Sequence, residues 1–456
     1  MPLYPAHEGL RPPRAGGART RASAIHLRGV EMVEDSKGKA KTPKGAWVVM
    51  LSVFLAGIVM AFAQYKVTGV LASPDPTAPS IARDLALDNA TAGWLMSLFT
   101  LVGIFLAFPA VAIIKKWGIK VGGLVALVFA VVGGVIGVFA DSATAIIIAR
   151  IIEGFGLGFI GVIAPSAIAM WFPIEKRGAP MGIWSSWQMW GICASFFFGI
   201  PITNAFGDAF GYAWKNLWIV GIVLLIISIV IYALFVKVPP AGENHADLND
   251  ETGGKVSIFA ACKYKNAWIM ALAGFAFGIS NSTVIAWISP FWQASGTADA
   301  IMANNMTGAM YLIECIGCIV FGFILNAITK RRKFMVINSL IWAVAFFLMF
   351  RVSGIPGAII MLVVYSVVES GYCAAMWTLC PQAVPDARAG ASMVAMFTVA
   401  VDLGMMLGSP LGGMFIDAFA GEFGALAYMV CGAQLVATVC YALVKMYDAK
   451  GVAQNI

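Results

Sequence analysis

Twelve runs of roughly twenty apolar residues, most separated by short polar turns, leave this 456-residue chain few folds to choose from. They fall at about 46–71, 91–114, 121–140, 143–171, 179–203, 216–236, 267–290, 303–328, 334–352, 355–380, 389–415 and 423–445. A run of about 20 residues wound as a helix matches the hydrocarbon thickness of a bilayer. In lipid the backbone must satisfy its own hydrogen bonds, which a helix does within one segment. Twelve spans need about 240 positions, and a 60% hydrophobic content supplies about 274. Only 12% of the residues are charged, against about a quarter in soluble proteins, so a water-soluble fold is excluded. The chain is expected to be an all-α membrane protein with 12 transmembrane helices, its short connections making neighbours antiparallel.

The same accounting narrows function. The longest polar stretches, residues 1–44 and 237–265, are too short to bury a core of their own, so a soluble catalytic domain is excluded. No phosphate-binding loop of the form G-x-x-x-x-G-K-[ST] occurs. His7, His26 and His245 all fall in the tail or the polar loop, which leaves no histidine for a haem or a proton relay inside the membrane. Cys315 and Cys318 form the single C-x-x-C pair, inside a predicted helix and without a second pair to complete a zinc site. The chain is therefore expected to be no enzyme and to carry no cofactor and no metal, its work being driven by a gradient or a partner.

Positive charge sets the expected orientation. With the N-terminus inside, 25 of the 30 Lys and Arg residues fall on the cytoplasmic side. That bias places both termini in the cytoplasm of a multi-pass protein of the cell inner (plasma) membrane. The net charge of +7 is then a topology signal, and no nucleic-acid partner is implied. Residues 1–44 lack the apolar core of a secretory signal. They read as a disordered basic cytoplasmic tail, or as a basic segment resting on anionic headgroups.

The chain repeats weakly at a spacing of about 210–220 residues. Ala46-Trp47 with Gly57 recurs as Ala267-Trp268 with Gly278, and the basic turn Lys115, Lys116, Lys120 recurs as Lys330 to Lys333. Pro173 and Arg177 answer Pro385 and Arg388. Two pseudo-symmetric six-helix halves, 45–236 and 266–446, joined by the cytoplasmic loop 237–265 and followed by a short tail 447–456, are the natural parsing. Over roughly 45–446 these residues resemble the major facilitator superfamily of secondary transporters. Its signature G-x-x-x-D-R-x-G-R-K is met by Lys116, Gly118 and Lys120, while Val111 and Lys115 depart from it. A second signature, R-x-x-x-G-x-G, is intact as Arg150, Gly154 and Gly156. Trp171-Phe172-Pro173 followed by Lys176-Arg177-Gly178 is similar to prokaryotic small-anion permeases of the oxalate/formate and cyanate/nitrate branches. The proline-glycine pattern of drug exporters is poorly matched by Gly191 to Pro201. The resemblance implies the major facilitator fold, a monomer, and a cytoplasmic gate at Lys116, Gly118, Lys120, Arg177 and Arg388.

Six ionisable residues fall inside predicted spans: Lys66, Arg150, Glu153, Glu314, Glu369 and Asp402. Each costs about 2.5–3.5 kcal/mol at the bilayer centre by insertion scales, so they should face the bundle interior or one another. Lys66 and Arg150 lie about 8 and 10 Å below the outer ends of their spans at 1.5 Å per residue. Lys66 can snorkel to the outer headgroups or attract a substrate carboxylate; Arg150 can pair with Glu153 one turn away or face the cavity. Glu153, Glu314, Glu369 and Asp402 are the candidate proton carriers, since desolvated carboxyls can hold a proton at neutral pH. Gln64 beside Lys66, Asn281 in the seventh span, and Trp187 and Gln188 in the fifth supply convergent polar and aromatic groups for a substrate. The leading expectation is a secondary transporter that moves a small organic anion, a carboxylate, with protons by alternating access. The competing one is a proton-driven exporter of a cationic or amphipathic compound.

Overall fold

The computed structural model describes residues 42–173, 176–208, 210–240, 259–328, 330–386 and 389–447. Arg388 lies outside them, as do most of the N-terminal tail and the central loop. Within the unit Pro43–Ile456, eleven helices of the described residues are long and apolar enough to cross a membrane. The twelfth is found inside the 50-residue helix Asn89–Val138, which breaks at Gly118. There φ is 78° and ψ 170°, a conformation open essentially to glycine alone. The sequence separated these two spans by a loop; the helix instead reverses at one residue.

The membrane helices, in chain order, are α1 (Ala46–Tyr65), α2 (89–117), α3 (119–138), α4 (Ala143–Trp171), α5 (Gly178–Ser185 continued by Trp187–Phe206) and α6 (Asn216–Phe235). The second half contains α7 (Lys265–Ala294), α8 (Ala300–Ala327), α9 (Arg331–Met349), α10 (Ile355–Leu379), α11 (Gly390–Ala418) and α12 (Leu426–Leu443). Polar side chains mark several starts: Asp88, Ser142 and Asp299 each accept from a backbone N–H three residues on, satisfying an otherwise orphan donor of the first turn. At Asp88 the Thr91 hydroxyl and N–H hold the carboxyl below the usual carboxylate range.

Packing repeats between the halves. In the first, α1 contacts α5 and α6, and α3 contacts α6; in the second, α7 contacts α11 and α12, and α9 contacts α12. The glycines of the fourth-helix signature work as spacers: a Cβ on Gly154 would meet the Phe99 carbonyl oxygen at 2.8 Å, and one on Gly156 the Ala126 oxygen at 2.6 Å. On α11, a Cβ at Gly404 would sit 2.0 Å from the Phe275 oxygen. Small residues let backbones approach where lipid gives no hydrophobic drive between helices.

The halves meet through α2 with α11 and α5 with α8. Hydrogen bonds between described residues of the two halves lie toward the end where α1 finishes and α2 begins. Ser73 Oγ donates to Gln293 Oε1 at 2.6 Å, Asn304 Nδ2 to the Gly69 oxygen at 2.9 Å, and Cys193 Sγ to the Gly308 oxygen at 3.5 Å. Asp417 Oδ1 accepts from Asn89 Nδ2 at 2.7 Å, and its Oδ2 from the Ala90 N–H at 3.3 Å, so a carboxylate of α11 sits on the N-terminus of α2. Large apolar side chains such as Phe105, Leu234 and Phe323 cover the outer surface of the bundle, the surface that lipid requires.

Candidate functional site

Two polar clusters interrupt the apolar interior, one in each half. The first forms where α1 ends. Its last carbonyls have no partner within the helix, and Arg150 of α4 supplies one: NH1 donates to the Ala63 oxygen at 2.8 Å and NH2 to the Gln64 oxygen at 2.5 Å. Arg150 Nε reaches the Leu95 oxygen of α2 at 2.9 Å, and NH1 also meets Glu153 Oε2 at 2.8 Å. Lys66, just past the end of α1, donates to Glu153 Oε1 at 2.5 Å. Its ammonium lies 4.6 Å from the Trp218 ring centroid, and the Arg150 guanidinium lies 4.6 Å from that of Phe99. Lys66, Arg150 and Glu153 are 1%, 0% and 0% exposed. Snorkelling of Lys66 to the headgroups is therefore not what this conformation shows. Two cations and one anion give the triad a formal charge of +1.

Gln64 adjoins this triad; its Nε2 donates to Thr100 Oγ1 at 3.1 Å, leaving Oε1 buried without a partner. Next to it, the Tyr65 hydroxyl is buried and unpartnered.

The second cluster joins α7, α8 and α10. Asn281 Nδ2 donates to Glu369 Oε1. Glu314, Glu369 and Cys373 each offer an atom within 4.8 Å of the others, and all three are buried. Glu314 Oε2, Glu369 Oε2 and the hydroxyls of Tyr311 and Tyr365 find no hydrogen-bond partner. The serines of α10 are used structurally: Ser366 donates to the Met310 oxygen of α8 at 2.9 Å, and Ser370 to the Ser366 oxygen at 2.6 Å. By sequence, no Lys, Arg or His lies more than three residues inside the ends of α7 to α12. Among the described residues no ion pair reaches these acids, whereas Glu153 has two.

The other sequence candidates are placed elsewhere. Asp402 is half-buried on α11, next to Val401, which packs on α7. Trp187 stacks on Trp184 at 5.0 Å between centroids, and both abut Gly57 of α1, about 14 Å along the helix from Lys66. Gln188 is half-buried beside them. At the turn ends, Lys116 is exposed and Lys120 half-buried on either side of the Gly118 break. Arg177 caps α4, donating from Nε to the Phe172 oxygen at 2.9 Å and from NH2 to the Ala169 oxygen at 2.5 Å. Cys315 and Cys318 are free thiols, the latter against the Ser370 oxygen of α10. The sequence reading missed Tyr311, Tyr365 and Cys373. One signal was available: Tyr365, Glu369 and Cys373 stand four residues apart, hence on one helix face.

A bundle of membrane helices in two pseudo-symmetric halves, each with a buried cluster of ionisable side chains, defines a membrane transporter. The chain belongs to the Major Facilitator Superfamily, whose family model matches residues 49–408. It is 24% identical over 288 residues to the hexuronate transporter of Bacillus subtilis (strain 168), covering 62% of this chain and 65% of that one. It is 26% identical over 151 residues to the lincomycin resistance protein LmrB of the same organism, covering 33% and 30%. A stretch of 127 residues is 33% identical to the nitrate/nitrite transporter NrtP of Picosynechococcus sp. (strain ATCC 27264 / PCC 7002 / PR-6), 27% of this chain and 23% of that one. The chain thus spans less than two thirds of the length of these relatives. In fold it is similar to a bacterial homologue of the human lysosomal transporter Spinster in an inward-facing, occupied conformation, with a TM-score of 0.72 and 17% identity over 88% of this chain and 97% of that one. It is also similar to a D-xylose-proton symporter, with a TM-score of 0.70 and 16% identity over 90% and 100%.

Proposed function

We propose that the protein is a secondary active transporter of the inner (plasma) membrane that carries a small organic anion, a carboxylate, together with protons. Both termini are cytoplasmic in this reading, which makes the closed end of the bundle the outer one and the conformation inward-facing. The observation that carries the proposal is the segregation of buried charge. A triad of net formal charge +1 stands in the first half, and two carboxyls without a cation stand in the second. A buried positive charge with unspent donors favours an anion: Lys66 makes one hydrogen bond, to Glu153, of the three its ammonium can donate. Two neighbouring carboxyls in a dry site favour taking up a proton, since both cannot be ionised cheaply. Binding of the anion at Lys66 and Arg150, with Gln64 and Tyr65 beside them, and protonation of Glu314 and Glu369 would lower the charge of each cluster before the halves rock. The hexuronate and nitrate/nitrite relatives support an anionic substrate.

The relation to a lincomycin resistance protein favours one other reading, export of a cationic or amphipathic compound. Thermal-shift titration of the purified protein separates the two. Stabilisation by mono- or dicarboxylates, lost in Lys66→Met, is expected. Stabilisation by lipophilic cations alone would overturn the anion assignment.

A further inference from the structure

The second cluster contains more than two acids. Cys373 stands one helical turn beyond Glu369 on α10, and its thiol, Glu314 of α8 and Glu369 converge to within 4.8 Å. The three residues are 8%, 2% and 1% exposed. Beside the acids, the fully buried Tyr365 hydroxyl faces Glu369. Asn281 holds the other side of the same carboxyl. One oxygen of each glutamate is left without a donor. Elsewhere in the bundle a buried acid is matched: Glu153 has both Lys66 and Arg150. Here the sequence provides no cation along the interior of six helices. Burial of an unmatched charge is costly, so these carboxyls are neutralised by a proton or by a cation from outside the chain.

We propose that Glu314, Glu369 and Cys373 form a binding site for one divalent transition-metal cation. A proton shared by the two carboxyls would leave the Cys373 thiol without a role. A divalent cation displaces the thiol proton and is bonded by the thiolate and both glutamates, and a proton kept on one carboxyl leaves the site neutral. The mixed oxygen and sulfur donors select its class: thiolate disfavours magnesium and calcium and suits zinc, cadmium and neighbouring borderline or soft ions. The glutamates come from α8 and α10, so a bound ion ties these two helices together and occupies the carboxyls assigned to proton traffic. Metal is then expected to inhibit proton-coupled transport. The binding claim itself does not depend on what the protein carries.

The test is titration of the full-length purified protein with cadmium chloride, read by the sulfur-to-cadmium charge-transfer absorbance and by thermal shift. The proposal predicts a saturable band at one cadmium per chain. Cys373→Ser removes the band, Cys315→Ser and Cys318→Ser leave it, and Glu314→Gln or Glu369→Gln weakens binding by on the order of 10–100-fold. A variant with every cysteine except Cys373 replaced by Ser guards against misfolding of the single mutant and is expected to keep the band. Magnesium chloride is expected to give no thermal shift. Absence of the band in the wild type, or its persistence in Cys373→Ser, overturns the site. Neither outcome bears on carboxylate binding, which the thermal-shift titration with carboxylates reads separately.

Discussion

Arg150 donates to acceptors on α1, α2 and α4, so one side chain fixes the meeting point of three helices. Its charge and that of Lys66 are tolerated at near-zero exposure because Glu153 stands between them. Removing one member of a buried ion pair leaves the others uncompensated, at a cost of about 3–5 kcal/mol. Glu153→Gln is therefore expected to destabilise the protein by that order, read as a lowered unfolding midpoint. The double variant Lys66→Met with Glu153→Gln should lose less than the sum of the singles, and additivity would show that the pair is not coupled. The six membrane ionisable residues were legible in the sequence because charge in lipid demands an explanation. The Arg150–Glu153 pairing was legible too, being three residues apart. The Lys66–Glu153 contact spans 87 positions and depends on how α1 and α4 are rotated, which periodicity in nearly uniform apolar helices does not encode. Tyr365 and Cys373 escaped notice because hydropathy counts them as apolar filling.

At the scale of the element, the helices follow from length and hydropathy, and their ends fall close to the residues marked by turns and caps. The exceptions have local causes. The turn between α2 and α3 is a single glycine, because only φ near 78° reverses the chain so abruptly. Gly118→Ala is expected to cost about 1–3 kcal/mol, as a side chain forced into that region does. The α7–α11 contact is backbone on backbone. Gly404→Ala must push the helices apart, with an overpacking cost of about 1–3 kcal/mol. Thermal unfolding in detergent checks both; an unchanged midpoint in either variant would contradict the role given to that glycine.

For the whole molecule, the repeat spacing suggests a parsing into two halves, and across it α2 packs on α11 and α5 on α8. Which end would be closed was not legible, since that is a property of one conformation and not of composition. Asp417 over the N-terminus of α2 gives that closure a specific latch, favoured by the partial positive charge of the helix end. Asp417→Ala is expected to enlarge the long-distance population between spin labels at Thr77 and Glu422, and an unchanged distribution would show that Asp417 is not part of the latch. In the proposed function the two clusters act together, an anion being drawn to Lys66 and Arg150 and a proton carried by Glu314 and Glu369. Uptake of a stabilising radiolabelled carboxylate into proteoliposomes, with and without an imposed proton gradient, tests it most directly. Gradient-driven accumulation is expected, and Glu314→Gln with Glu369→Gln should abolish it while exchange persists. Uptake indifferent to the gradient in the wild type would contradict it.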